Sequence, residues 1–370
     1  MLVTAVLRPE QREDGELEVV RVAAEKLPDP VRLSVRETES AMQRLFRDLR
    51  QVMQCRRRNR RAVRCVTSED VKRRNLAMLV GLALIWGASF MFIKVAVREI
   101  SPATLILGRL GLAALTLALV VPFVVGTRAA LGQMRANAHW LVIVALVNTA
   151  IPFWLLSWGE TRIDSGLASI IQASVPIFNA LIAFGFFHEA RVTGMRLVGV
   201  GIGFVGVALL VGAQPQGRVL GALAVVGMAF CYALGGLLIG RHLKPVAPIV
   251  VAFTSTAIAA VVALPAGVAQ APAQAPGWKV TASVVALGIP GTAIAYLLFF
   301  ALISGAGAAY ASLVTYLIPP IALIYGAVFL GESVTGVALG GLALVLVGVG
   351  LGTGGLRPSR LLRRSVPSQA

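Results

Sequence analysis

One stretch of this chain occurs twice. Residues 165 to 194 read SGLASIIQASVPIFNALIAFGFFHEARVTG, and residues 308 to 336 read AAYASLVTYLIPPIALIYGAVFLGESVTG. At an offset of about 143 positions, Ala168 and Ser169 fall on Ala311 and Ser312, Pro176 on Pro319, Phe186 on Phe329 and Glu189 on Glu332. After a gap of one residue, Val192, Thr193 and Gly194 match Val334, Thr335 and Gly336, followed by Gly199 with Gly341 and Gly206 with Gly348. Apolar composition aligns Leu with Val anywhere, but it does not keep a proline, a lone carboxylate and a VTG turn in one order. The chain is therefore read as a duplication, and its fold must be built from two copies of one unit.

That unit lies in a membrane. Mean hydropathy is +0.81, with 57% hydrophobic and 14% charged residues, well outside the range of a soluble domain. Charge is also unevenly spread: residues 1 to 75 hold 18 of the 34 Lys and Arg and 12 of the 17 Asp and Glu. The apolar part is thus nearly free of carboxylates, and the net charge of +17 belongs mainly to tails and loops. Such a distribution fits membrane topology and anionic headgroups, and it speaks against nucleic acid, which needs a basic reading surface. Cys55, Cys65 and Cys231 form no CxxC pair, so neither a disulfide framework nor a thiolate metal site is expected.

Residues 1 to 75 read as a basic, poorly ordered cytoplasmic tail. Within it, residues 41 to 54 place Met42, Leu45, Phe46, Leu49, Val52 and Met53 opposite Arg44, Arg47 and Arg50, the pattern of a short amphipathic helix able to lie on a membrane. The run VKRRNLAM at 71 to 78 looks like the natural beginning of a membrane protein, which makes a GTG start at Val71 and an artefactual first 70 residues a hypothesis open to N-terminal sequencing. MLVTAVLRPEQ is too short and too soon charged for a secretory signal, so targeting falls to the first membrane helix.

Ten apolar runs follow, at about 76–97, 102–125, 138–158, 163–187, 192–213, 217–240, 246–266, 279–303, 307–330 and 334–355, each near the roughly 20 residues that cross a hydrocarbon core. The expected fold is an all-α membrane protein of ten transmembrane helices, a first repeat over 76–213 and a second over 217–355, ending in a basic tail at 356–370. Five is odd, so the second repeat enters the membrane with the opposite sense, giving two inverted five-helix repeats. Lys and Arg concentrate in the segments that are internal if the N-terminus is inside, whereas the external segments hold only Arg98, Arg162, Arg218 and Lys279. Both termini are therefore expected in the cytoplasm of a bacterial inner-membrane protein.

With these pieces in place, residues 76 to 355 resemble the EamA-type permeases of the drug/metabolite transporter superfamily. The likeness rests on LALIWGASFMFIKVAV at 82–97, on the arginine of LGRLGLAAL at 107–115, and on the block from Ala168 through Pro176 to Glu189 that recurs from Ala311 to Glu332. It implies two EamA repeats, ten helices and carriage of small molecules across a membrane; its members' substrates range over amino acids, metabolites and drugs.

Individual residues admit a structural and a functional reading. Glu189 and Glu332 close equivalent helices just before the VTG turn and are read as structural, held near the positive end of the following helix. Pro176 and Pro319 lie mid-span, where each favours a kink, and broken helices at membrane depth line cavities or pack against protein. Arg109 lies about two turns inside the second span, where a charge is costly; it either faces substrate or snorkels outward to Glu99 or Glu160. Lys94, a turn from the end of its span, reads as a snorkelling anchor. Trp86, Arg109, Asn148, Gln172, Tyr232, Tyr296 and Tyr316 form the candidate substrate-binding set.

The glycines at 201, 203 and 206, and at 350, 352 and 355, spell GxGxxG without the strand and acid of a dinucleotide site, and read as small faces for helix packing. No His and carboxylate cluster suggests a metal, and no GxxxxGK[ST] loop suggests ATP, so neither cofactor nor catalytic residue is expected. The expected function is a secondary transporter, an exporter or permease of a small metabolite such as an amino acid or related anionic or zwitterionic compound, working by alternating access. The membrane core is expected to lack a buried carboxylate, which argues against a cation/proton antiporter of the small multidrug-resistance type. An intramembrane lipid-modifying enzyme, and a membrane-anchored partner acting through its tail, are the competing readings. The partners expected are a small-molecule substrate and the bilayer, not nucleic acid, with a homodimer left open.

Overall fold

Proline, glycine and short polar residues at the ends of long apolar runs decide where this chain's helices begin and stop. A computed structural model describes residues 68–186, 195–215 and 218–352; the tails, the segment at 41–54 and Glu189 lie outside the described residues. Among the described residues the chain is helical, without strands. The first half comprises α1 (Ser68–Ala96), α2 (Pro102–Val124), α3 (Thr127–Ala136), α4 (Ala138–Ala145), a π-type segment (Leu146–Ala150), α5 (Ile151–Glu160), α6 (Ser165–Gln172), α7 (Val175–Phe186) and α8 (Met195–Gly212). The second comprises α9 (Val219–His242), α10 (Pro248–Ala269), α11 (Trp278–Gly288), a π-type segment (Ile289–Ile294), α12 (Ala295–Ala306), α13 (Ala308–Ala311), α14 (Val314–Leu330) and α15 (Gly336–Gly352).

Among the described residues, seven helical stretches are long and apolar enough to cross a membrane: Val71–Ala96, Pro102–Val124, Ala138–Glu160, Ser165–Ile182, Val219–His242, Pro248–Ala269 and Trp278–Ala306. Leu197–Gly212, Val314–Leu330 and Gly336–Leu351 are apolar but shorter. Each of these stretches overlaps one of the ten apolar runs, seven of them at spanning length, and the protein is a multi-pass helical membrane protein.

Helix starts follow local chemistry. Ser101 precedes α2 in an extended conformation and accepts the Thr104 N–H at 3.2 Å, while Pro102 occupies a first-turn position where no N–H is needed. Pro248 opens α10 in the same way. The separator at 126–137 is more than a loop: it holds α3, which starts after Gly126 at a φ of 87° and buries Ala130. The Gln133 side chain of α3 accepts the Ala247 N–H at 2.8 Å, tying the first half to the start of α10.

Like packs against like across the two halves: α2 on α10, α8 on α15, and α6 on α14. The α8–α15 contact uses the glycines read as small faces. A Cβ added at Gly348 would fall on the backbone of Gly203, and one at Gly206 would meet Leu344 and the backbone of Val345. Outward faces stay apolar, as with Leu115, Leu119 and Phe123 on α2 and Val261, Leu264 and Val268 on α10, which suits a lipid solvent.

The two π-type segments start the same 143 or so residues apart as the duplicated stretches. In the first, the Ile151 N–H reaches back to the Leu146 carbonyl; in the second, the Ala295 N–H reaches back to Pro290. Pro152 follows the first and Pro290 lies inside the second, and the missing N–H of each frees a carbonyl and loosens the helical ladder.

The fourth spans are less alike. In the first half the helix breaks between Gln172 and Val175, so Pro176 falls in the first turn of α7 rather than mid-helix, and the buried Ser174 hydroxyl donates to the Ile171 carbonyl at 2.6 Å. In the second half the break comes earlier in register, between Ala311 and Val314, and Pro319 and Pro320 lie inside α14.

Candidate substrate-binding cavity

A cavity of about 330 Å³ lies between the two halves. Six of the seven candidate residues line it: Trp86 from α1, Arg109 from α2, Asn148 from the first π-type segment, Gln172 from the end of α6, Tyr232 from α9 and Tyr296 from α12. Tyr316 does not line it. That side chain packs against the main apolar core, and Thr315 faces the cavity instead. Ser89, Thr292 and Thr315 complete the polar lining, and Phe90, Phe153 and Phe299 the aromatic one.

Arg109 is held from two directions. Its Nε donates to Thr292 Oγ1 at 3.1 Å, and its guanidinium carbon lies 4.4 Å from the centre of the Phe153 ring. Thr292 Oγ1 in turn donates to the Leu287 carbonyl at 2.8 Å, five residues back, an acceptor opened by the π-type segment. The irregular helix in the second half thus fixes the arginine of the first. Phe153 meets Tyr232 edge-on at 6.5 Å, and Trp86 meets Phe299 at 5.4 Å, so the aromatic walls brace one another. Asn148 sits over Gly235 of α9, where a Cβ would collide with its side chain.

Of the two carboxylates that sequence reading offered as partners for Arg109, neither bonds it: Glu160 acts on it only through space, and Glu99 is engaged elsewhere. Glu99 accepts the Gly277 N–H at 3.0 Å. Asp164 pairs with Arg218 at 3.6 Å on an exposed surface. Glu332 holds Ser165 and Gly166. Glu160 is 0% exposed, and neither carboxylate oxygen has a hydrogen-bond partner among the described residues. The expectation of a membrane core without a buried carboxylate is therefore corrected: Glu160, at the end of α5, is enclosed by packing that a count of span ends does not see. Lys94 is no free snorkelling anchor either. Its Nζ donates to the carbonyls of Glu160 and Ile163, at 2.7 and 2.7 Å, closing the end of α5.

Thr292 and Ser89 were missed as lining residues. A usable signal existed for Thr292: the run IPGTAI puts a proline and a glycine inside an apolar span. In the second half, Thr254 bonds its own helix at the Val250 carbonyl, and the buried Ser255 hydroxyl has no partner among the described residues.

Comparison with known proteins gives a consistent result. The family model described as the EamA-like transporter family matches residues 74–212 and again 219–353. A probable terminal-alkyne amino-acid exporter of Streptantibioticus cattleyicolor is 31% identical over 282 residues, covering 73% of this chain and 90% of the relative. A probable amino-acid metabolite efflux pump of Salmonella typhimurium is 26% identical over 307 residues, covering 78% of this chain and 97% of the relative. A solved crystal structure 16% identical to this chain shares its fold with a TM-score of 0.56, covering 79% of this chain and 99% of its own.

Proposed function

This chain belongs to the EamA-like transporter family, a family of carriers rather than enzymes, and we propose that it is a secondary transporter that exports a small metabolite such as an amino acid or related anionic or zwitterionic compound. The observation that carries this reading is the cavity between the two matched regions, lined by both and holding one cation, Arg109. The printed names of two relatives, an amino-acid exporter and an amino-acid metabolite efflux pump, support the substrate class.

On this reading, residues 76–355 cross the bacterial inner membrane ten times as two inverted repeats with both termini in the cytoplasm. The repeats rock about the cavity to open it to one side and then the other. Trp86, Arg109, Asn148, Gln172, Tyr232 and Tyr296 contact substrate, and Pro176, Pro319, Glu189 and Glu332 keep structural roles. Reporter fusions at Ala370 and within residues 269–277 test the topology: the first reports from the cytoplasm and the second from outside. Removing residues 1–70 leaves transport intact.

Uptake into proteoliposomes, assayed against a panel of amino acids and other small metabolites, tests the function. Concentration-dependent, saturable uptake of at least one anionic or zwitterionic compound is expected. Uptake of none, by protein that remains folded, overturns it.

A further inference from the structure

We propose that the cavity is built for a small monocarboxylate with an aromatic body and no ammonium group, and that it takes such an acid in preference to the amino acid carrying the same side chain. The inference rests on reading this cavity as the substrate site, and it selects the anionic branch of that reading over the zwitterionic one.

The first argument is an incomplete ion pair. Arg109 is 7% exposed, its Nε is used by Thr292, and one face of its guanidinium is covered by Phe153. Its two terminal nitrogens have no acceptor among the described residues, and the side chain borders the cavity. Glu160 acts on Arg109 through space but makes no ion pair or hydrogen bond with it, and a cation held away from water with so little compensation is costly; at membrane depth it is kept where something pairs with it. The terminal nitrogens form a planar fork that matches both oxygens of a carboxylate, so a carboxylate entering the cavity supplies the missing partner. Thr292 and Phe153 hold the fork in place before the ligand arrives, which reduces the ordering left for binding to do.

The second argument concerns the opposite charge. Only five carboxylates occur after residue 75: Glu99, Glu160, Asp164, Glu189 and Glu332. The four that are described all lie off the cavity wall, where Arg109 is the one charged residue among those described. The α-ammonium of an amino acid sits two bonds from its carboxylate, so with the carboxylate on Arg109 it is brought near a guanidinium and meets only neutral acceptors such as Asn148 and Gln172. It gives up water without an ionic replacement. The acid that lacks it avoids that loss.

The third argument is the wall. Trp86, Phe90, Phe153, Tyr232, Tyr296 and Phe299 surround a space of about 330 Å³, the scale of a one- or two-ring molecule rather than a long chain. Aromatic rings packed at fixed tilts favour a flat ligand that stacks or meets an edge over a flexible one of equal area.

The experiment is a binding titration on the purified full chain in nanodiscs with a matched series: 3-phenylpropanoate, phenylalanine, phenethylamine and hexanoate. The expected order puts 3-phenylpropanoate at least about tenfold tighter than phenylalanine, the scale of one uncompensated polar desolvation, with hexanoate weaker and phenethylamine unbound. Arg109→Gln is expected to abolish binding of the acid. Should that variant unfold, Thr292→Val, which leaves the charge but frees the fork, is expected to weaken 3-phenylpropanoate and hexanoate alike, by several-fold. Phenylalanine binding as tightly as the acid, an acid affinity insensitive to Arg109→Gln in folded protein, or no binding by any member of the series overturns the inference. Saturable transport of amino acids with no binding of the acid overturns this inference alone and leaves the carrier reading standing. Binding of the acid without transport of any compound would do the reverse.

Discussion

Glu332 closes the amino end of α6 at Ser165 from the opposite half of the chain. Its carboxylate accepts the Ser165 N–H at 2.9 Å, the Ser165 hydroxyl at 2.8 Å and the Gly166 N–H at 3.1 Å. Asp164 occupies the capping position of α6 but makes no side-chain cap and turns to Arg218 instead. Glu332 can reach because α14 ends in a left-handed turn at Gly331, with a φ of 67°, and the Glu332 N–H folds back to Gly326 at 3.0 Å. The carboxylate read as belonging to the following helix thus serves a helix 167 residues earlier.

Removing this contact separates two explanations of how α6 is held. Glu332→Ala leaves two first-turn N–H groups and a hydroxyl without an acceptor and is expected to cost ~1–2 kcal/mol, the size of a lost cap, read as a lower unfolding temperature in detergent. Asp164→Ala is expected to change stability by less than about 0.5 kcal/mol, because its ion pair is exposed at 50% and 39%. The reverse order would show that the local residue, not the distant one, caps α6.

Much of this architecture was legible, because membrane spans announce themselves by length and hydropathy and a duplicated stretch forces two similar halves. Six of the seven residues named from sequence line the cavity, because polar and aromatic side chains inside apolar runs are few. What sequence could not supply was direction around each helix axis. Thr315 and Tyr316 are neighbours in the chain, yet only the first faces the cavity. Nor could it foretell that Lys94 would reach two main-chain carbonyls, or that packing would enclose Glu160, since both depend on contacts between elements far apart in sequence.

Glycines that share a helix are expected to differ sharply in tolerance. Gly348→Val drives a side chain into the backbone of Gly203, which cannot retreat without parting α8 from α15, and is expected to destabilise by more than about 3 kcal/mol. Gly340, on the same α15, has nothing within 4 Å of a built Cβ, so Gly340→Ala is expected to be neutral or stabilising by up to ~1 kcal/mol. Thermal unfolding of the two variants side by side decides. Equal effects would mean that the glycines matter for flexibility rather than for close approach.

Ser255 offers a test in the other direction. Its hydroxyl is buried and has no partner among the described residues, so it gives up water without replacement. Ser255→Ala removes that loss while keeping the backbone, and is expected to leave stability unchanged or raise it by ~1 kcal/mol. A clear loss of stability would mean that the hydroxyl has a bonding partner in the membrane.

Lys94 supplies the last contrast, between a lysine anchored at a lipid surface and one that closes a helix. A snorkelling lysine contributes through its stem and its exposed head, and replacing it with methionine changes little. Here Nζ donates at 2.7 Å to each of two carbonyls, Glu160 and Ile163, at a helix end where four carbonyls lack partners within the helix. Lys94→Met keeps the stem but leaves both carbonyls without their donor, beside a Glu160 side chain that is itself fully buried. The expected cost is ~2–4 kcal/mol, from two lost charge-assisted hydrogen bonds. Lys94→Gln, which keeps one amide donor, is expected to recover part of it. Unfolding temperatures of the three proteins in one detergent provide the measurement. A methionine variant as stable as the parent would return Lys94 to the role of surface anchor.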